Sequence, residues 1–389
     1  MKFSYKRLDE LGSVSRGRSK HRPRNAPELY GGPYPFVQTA DVKKAGLYLT
    51  EYSQTYSEKG LAQSKLWPKG TLCITIAANI ADTAILGVDA CFPDSVIGFI
   101  SDDSKSDVKY VKYLFDYTLQ TEFKKFSQGA AQDNLSQEKL LSIKLPVPDV
   151  EFQNRIVAIL SDYDSAIDNA RRQIALLEEA AMRLYREWFV VNADPKWEKG
   201  AVRKWFEITI GRTPPRKIAA NFSEAATDQK WCSIKDLQNS NIFISETAEM
   251  LTKQGVESSK IHISPAGTIF LSFKLTVGKV AITLEPMATN EAIAHFETTD
   301  RALRDYTYCY LHEFQYDTLG STSSIGKAIN SEIVRDMLFV MPDAKTLTRF
   351  SDMVSPIFDQ IQNSVDFIRT LTEARDRLLP KLMSGEVSV

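Results

Sequence analysis

Cysteine and histidine are scarce, four of each in 389 residues. Cys73, Cys91, Cys232 and Cys309 form no C-x-x-C pair and lie in apolar or aromatic stretches such as CITIA and YCYLH. That excludes a disulfide framework or zinc ribbon and predicts reduced, buried thiols. His21, His262, His295 and His312 are isolated from one another in sequence and lack metal-ligand spacing, so no metal site is expected. Long apolar runs are missing too. No stretch approaches the roughly eighteen residues of a membrane span, and the opening MKFSYKRLDELG has no apolar segment of secretory type, so a cytoplasmic protein with no membrane contact is expected. Excess charge of one sign is also lacking, with 48 Lys+Arg against 49 Asp+Glu. A protein coated in positive potential is thereby excluded, and any nucleic-acid contact has to come from local patches. Such a patch has room in residues 1–148, which carry 20 basic against 16 acidic residues, whereas 149–192 carry 5 against 8.

Catalytic templates fail as well. GSTSSIGKA has five residues between Gly320 and Gly326 and places Ala328 where a phosphate-binding loop needs Ser or Thr. No G-x-G-x-x-G follows a strand pattern, and no N-P-P-Y-like box is present to hold a flipped base. No catalytic residue, metal or cofactor of the chain's own is expected.

What the sequence does contain is a repeat of about 194 residues, half its length. RRQIALLEEAAMRLYREWF and VDFIRTLTEARDRLLPKLM superpose with six identities in nineteen positions. The same shift pairs Gly17-Arg18 with Gly211-Arg212, Glu138 with Glu332, and Pro148-Asp149 with Pro342-Asp343. Slightly larger shifts pair Asp41 with Asp236, Gly70-Thr71 with Gly267-Thr268, and Tyr113-Leu114 with Tyr310-Leu311. The order is domain, helix, domain, helix, with boundaries at 1–148, 149–192, 193–342 and 343–389.

The helical segments carry a stripe stepping by four and three: Ile156, Leu160, Tyr163, Ile167, Ala170, Ile174, Leu177, Ala181, Leu184 and Trp188. Its counterpart runs Phe350, Val354, Ile357, Ile361, Ser364, Ile368, Leu371, Arg375, Leu378 and Leu382. A narrow stripe kept up for more than four heptads is a coiled-coil seam. Asp149 and Asp343 are N-cap candidates and Gly385 a stop signal. Pro356 predicts a kink, or a short helix ending before residue 355. Between the helices, TLCITIAANI, TIFLSF and VAITLE are strand signals separated by Gly, Pro and Asp turns. The fold class expected is mixed α/β: two similar sheet-dominated domains separated by two long helices.

Recognition candidates concentrate in VSRGRSKHRPR, where Arg16, Arg18, Lys20, Arg22 and Arg24 recur at every second residue. In an extended segment all five project from one face, able to neutralise phosphates or fork onto a guanine edge. The other reading is a solvated loop. Its counterpart GRTPPRK offers Arg212, Thr213, Arg216 and Lys217, and this recurrence favours function. A second set precedes each helix: Gln128, Gln132 and Asn134, then Ser323, Ser324, Lys327 and Asn330. These suit adenine edges or phosphates, and equally a turn leading into a strand. Tyr30, Tyr34 and Phe36 are expected in a core rather than stacked on bases.

KLPVPDVEFQNRIVAILSDYDSAIDNARRQIALLEEAAMRLYREWFV resembles the central helical region of the specificity (S) subunits of type I restriction-modification systems. RLLPKLMSGEV resembles their carboxyl-terminal ending, and YGGPYPFVQTADV and GRTPPRK are similar to segments of their target recognition domains. The resemblance spans the chain. It implies a pseudo-twofold subunit whose two recognition domains each read half of a bipartite site in double-stranded DNA, with antiparallel coiled-coil helices fixing the gap. It also implies two methyltransferase (M) subunits that carry S-adenosylmethionine and, in the restriction complex, two motor-nuclease (R) subunits. Ile167, Ile174, Leu177 and Leu184 with Ile361, Ile368, Leu371 and Leu378 are the expected helix-packing residues. Two other readings compete: a restriction enzyme with catalysis in the same chain, and a coiled-coil scaffold with no DNA role.

Overall fold

The apolar runs LCIT and TAIL become strands Leu72–Thr75 and Thr83–Leu86, buried at every position. They lie inside a five-stranded sheet whose spatial order is Gly12–Arg16, Val96–Ser101, Leu72–Thr75, Thr83–Leu86, Tyr48–Leu49. Only the last pairing is parallel. A strand covered on both faces has no solvent side to mark with polar residues, which is why these runs do not alternate. A four-stranded sheet, Gln54–Tyr56, Tyr30–Phe36, Ala90–Cys91 and Leu66–Trp67, lies in the same part of the chain, and Ser4–Lys6 pairs with Leu145–Val147. This computed structural model describes residues 3–77, 81–127, 136–319 and 329–387. The chain divides into two compact units, residues 1–170 with 367–389, and residues 171–366.

The second unit repeats the topology of the first. Its five-stranded sheet runs Ile208–Ile210, Ile293–Phe296, Ile269–Ser272, Val280–Thr283, Phe243–Ile244, again with one parallel pair at the end. Glu198–Ala201 pairs with Leu338–Met341 in the register of Ser4–Lys6 with Leu145–Val147. Hydrogen bonds repeat as well. Tyr110 donates to the Pro146 carbonyl and Tyr306 to that of Val340, at 3.3 and 2.5 Å. Pro146 and Val340 are equivalent in strand register, so the two tyrosines hold the same place on the strand.

Each long helix begins in one unit and ends in the other. Asp149 accepts the Phe152 N–H at 2.9 Å, ahead of helix Val150–Arg186. Asp343 accepts that of Thr346 at 2.9 Å ahead of helix Ala344–Ser384, and these bonds with Thr346 lower its pKa. Gly385 follows with φ 78°. In the first unit Ile156 and Leu160 share a core with Leu382 and Met383, while Asp164 meets Arg375 farther on. One helix runs forward as the other runs back, so the pairing is antiparallel. In the second unit Trp188 and Phe189 lie against Phe350, with ring centres 6.2 and 4.9 Å apart.

Burial along the helices departs from a strict seven-residue seam. Ile156, Leu160, Ile167, Ala170, Ile174 and Ala181 are buried, but Asp164, Tyr185 and Phe189 are buried where the heptad pointed to Tyr163, Leu184 and Trp188. Phe358 likewise replaces Ile357. Ile361 is buried, and Leu177, Leu184, Ile368, Leu371 and Leu378 are half-buried. An α-helix has 3.6 residues per turn, so its buried stripe drifts ahead of a 3.5 repeat unless the helices supercoil tightly. Pro356 ends nothing. The helix runs through it without a break, and Pro356 and Asp352, whose carbonyl loses its donor, both face solvent.

Candidate nucleic-acid interface

Both units build the same junction where the first strand of the large sheet ends. Gly17 N–H donates to the Val96 carbonyl and Arg18 N–H to that of Phe92, at 2.9 and 3.0 Å. In the second unit Gly211 bonds Ile293 and Arg212 bonds Thr289, at 3.1 and 2.9 Å. A Cβ on Gly17 would overlap the Pro93 and Phe92 carbonyl oxygens, and one on Gly211 the Asn290 carbonyl and the Thr289 hydroxyl. The repeated glycine is a packing requirement, and the repeated arginine is the first side chain to leave the sheet into solvent.

From there the basic run is only partly the comb of its sequence. Arg16, Arg18 and Lys20 are exposed while Gly17 and Ser19 are buried, as an extended segment dictates. Arg22 then turns its guanidinium onto the Ser19 and His21 carbonyls, both at 2.8 Å, and Arg24 pairs with Asp94 at 2.9 Å. Arg16 also donates to the Asp94 carbonyl, at 3.0 Å. The expectation of five side chains on one face is corrected to three, because nearby carbonyls draw Arg22 back and the distant Asp94 draws Arg24 aside. In the second unit Arg212 donates to the Ser259 carbonyl at 2.9 Å, Thr213 to Glu291, and Arg216 pairs with Glu249 at 2.6 Å while lying over Phe222 and Trp231. Lys217 is exposed.

Asp94 and Glu291 went unnoticed in the sequence. They occupy the same place, one residue before the paired Ser95 and Ala292 carbonyls that accept from Ile76 and Phe273. The Thr213 bond and the nearby Lys274 and Arg216 hold the Glu291 carboxyl below its ordinary range. Each acid stands beside its basic loop, Asp94 holding the Arg24 guanidinium and Glu291 the Thr213 hydroxyl, and a lone acid has no sequence signature. Asn330 caps helix Ser331–Arg335, its side-chain oxygen accepting the Ile333 N–H at 2.9 Å. Gln128, Gln132, Asn134, Ser323, Ser324 and Lys327 lie outside the described residues. Phe36 stacks on Tyr56 in a small core that Tyr30 and Tyr34 flank.

All four cysteines are buried and free. The histidines are less isolated than expected, since the chain brings ligand atoms of His262, His295 and Glu297 within 4.8 Å of one another. The arrangement is poorly suited to a metal. His295 bonds the Thr209 hydroxyl through Nδ1 and the Thr289 hydroxyl through Nε2, at 2.8 and 2.7 Å, and its ring lies within 20° of parallel to that of His262. In-plane lone pairs of near-parallel, hydrogen-bonded rings do not converge on one ion. Burial, with His262 nearby, pushes the His295 pKa down to about 3. No described helix is long and apolar enough to cross a membrane.

Residues 2–179 match the family profile of the type I restriction modification DNA specificity domain. Over its full length the chain is 24% identical to the type I restriction enzyme MjaIX specificity subunit of Methanocaldococcus jannaschii, covering 94% of that protein. It is 22% identical to the HindI specificity subunit of Haemophilus influenzae, covering 97% of this chain and 98% of that one. Among solved structures, the S subunit of a type I restriction-modification system from M. genitalium matches 98% of this chain and 96% of its own, with TM-score 0.55 at 13% identity, a likeness of fold. Shared fold, end-to-end similarity and the specificity-domain match over the first part of the chain agree: from end to end this chain is similar to type I restriction-modification specificity subunits.

Proposed function

We propose that the chain supplies sequence specificity to a type I restriction-modification complex, residues 1–148 and 193–342 each reading one half of a bipartite DNA target. Residues 149–192 and 343–389 are the helical spacers. The observation that carries this reading is the duplicated Gly-Arg junction, with its matching backbone bonds, exposed arginine and neighbouring acid. Exposed guanidinium groups neutralise phosphates and fork onto guanine. Two such readers in one chain call for two half-sites, and helical spacers suit a fixed gap of about one DNA turn or a multiple, roughly 34 Å each.

The subunit is non-catalytic, and its partners are DNA and the other subunits of the system. Duplication offers similar surfaces twice, which suits two methyltransferase subunits bound with pseudo-twofold symmetry, and two motor-nuclease subunits beyond them. S-adenosylmethionine then belongs to the methyltransferase, and the work is done in the cytoplasm. The purified chain mixed with its methyltransferase partner, followed by mapping of methylated bases, tests the reading. Two short specified blocks around an unspecified spacer are expected. Methylation by the chain alone would point to an enzyme, and methylation indifferent to the chain to a scaffold.

A further inference from the structure

The second unit holds one large side chain in a place that folding does not explain. Leu275, at the tip of the hairpin between Ile269–Ser272 and Val280–Thr283, is 91% exposed. Its φ is +64°, a left-handed backbone that disfavours any residue with a Cβ. Exposure forfeits the burial a leucine gains, and the backbone adds strain, so the position carries two costs with no compensation within the unit.

The tip is held by design of the hairpin. Phe273 is buried and donates its N–H to the Ala292 carbonyl at 2.9 Å. Ser272 and Lys279 exchange hydrogen bonds through backbone and hydroxyl, at 2.9 to 3.3 Å. Gln238 bonds the Thr276 hydroxyl, and Gly278, with φ +88°, sits against the Tyr316 ring. Leu275 is thus presented on a fixed stalk. The strand start that receives Phe273 also receives Gly211 at the Ile293 carbonyl, 3.1 Å away. The residue preceding both acceptors is Glu291, which binds Thr213 and feels the charges of Lys274 and Arg216. Leucine tip and arginine loop therefore flank one acid on one edge of the unit, with exposed Lys274 beside the leucine.

We propose that Leu275 is a base-contacting residue of the second domain, pressed against thymine methyl groups or a base step of the DNA while Lys274 meets the phosphate beside it. This rests on the DNA-reading function above. An apolar tip with a lysine beside it fits a groove whose walls are phosphate and whose floor is base, where apolar side chains read methyl groups or wedge between steps.

The test uses the full chain assembled with its methyltransferase partner, and three duplexes: the mapped target, the target with the second domain's half-site scrambled, and the target with the first's scrambled. Leu275→Ala is expected to lose about tenfold in affinity on the intact target, the scale of one lost base contact, and to bind the duplex with the second half-site scrambled as the wild type does. Lys274→Gln is expected to weaken binding to all three and lower the salt slope by about one. Leu275→Gly, which relieves the backbone, is expected to unfold no earlier than the wild type and still bind the target more weakly, an opposition that a structural role does not produce. Unchanged affinity in Leu275→Ala, an equal loss on all three duplexes, or a loss of methyltransferase assembly instead of DNA binding overturns the proposal. If the wild-type complex itself fails to distinguish target from scrambled DNA, the functional reading falls and takes this one with it; if it does distinguish them, a null result in Leu275→Ala removes this inference alone.

Discussion

Beneath the two Gly-Arg junctions the units differ most where their frames agree best. The first unit has Lys65 over Trp67 at 3.5 Å, Trp67 stacked on Phe92 at 4.7 Å, and Gly98 crossing under the tryptophan. At the structurally equivalent places the second has His262, Ser264, Thr289 and His295, with His295 bonded between two threonine hydroxyls. An aromatic stack has become a polar cluster, yet sheet order, strand register and hairpin closure are unchanged. Both fillings leave a buried polar atom without a partner, Trp67 Nε1 in one and Ser264 Oγ in the other. A sheet held by backbone bonds tolerates such exchange, because its register depends on the pattern of burial and not on the identity of each filler. The support of the Gly-Arg loop can then diverge between halves while its position is kept.

The helix pairs show the same contrast. In the first unit Asp164, side chain 7% exposed, joins Arg375 and the Tyr113 hydroxyl, each at 2.5 Å. In the second Phe358 packs edge-on against Tyr308 and Phe243, at 5.6 and 6.3 Å. Asp164→Ala takes the acceptor from the buried Tyr113 hydroxyl and leaves the half-buried Arg375 with Asp376 alone, and should cost about 3 kcal/mol in urea unfolding. Replacing Asp164 and Arg375 together by leucine should restore most of it, whereas Phe358→Ala should cost a similar ~3 kcal/mol with no polar partner to remove. Failure of the double replacement to recover stability would show that the pair is not a self-contained polar insert.

Reversing Arg18 and Lys20 to glutamate should weaken DNA binding by roughly hundredfold at moderate salt and flatten its salt dependence, by filter binding or fluorescence titration. Equal binding would reassign the loop as solvated surface and leave the second domain as the sole reader. The acid response should separate the halves next. The folded-state pKa of His295 lies near 3, below the unfolded value of 6.5, so the unfolded chain takes up the proton first. Its contribution is intact above about pH 6.5 and is lost as pH falls toward 3, amounting to about 2 kcal/mol by pH 5. His295→Gln should remove that part of the slope, and Gly98 in the first unit supplies no equivalent. The smallest effect is expected from Asp94→Asn. Arg24 and Asp94 are about half exposed, so stability should move by under ~0.5 kcal/mol, while DNA affinity shifts with the freed arginine.

Much of this was legible in the sequence, and for physical reasons. Gly17 and Gly211 stand out because close packing forbids a side chain there, and Asp149 and Asp343 because helix starts need an acceptor. The runs around Leu72, Ile269 and Val280 stand out because two-sided burial leaves no polar position. The helix seam was legible in kind but not in phase, since seven-residue counting put Tyr163 and Leu184 where Asp164 and Tyr185 are buried. Asp94, Glu291 and the inward folding of Arg22 and Arg24 were not legible. They arise from contacts as distant as Arg24 with Asp94, and no periodicity announces a meeting between segments seventy residues apart.

The most direct test of the two-reader account lengthens the spacer and leaves both readers alone. Seven helical residues inserted after Ala170 and seven after Asp366, where the chain passes between units, add about 10 Å, close to three base pairs, without touching contacts within either unit. Methylated-base mapping with the partner methyltransferase should then return the same two half-site sequences separated by a longer gap. Altered half-site letters at an unchanged gap would contradict the account.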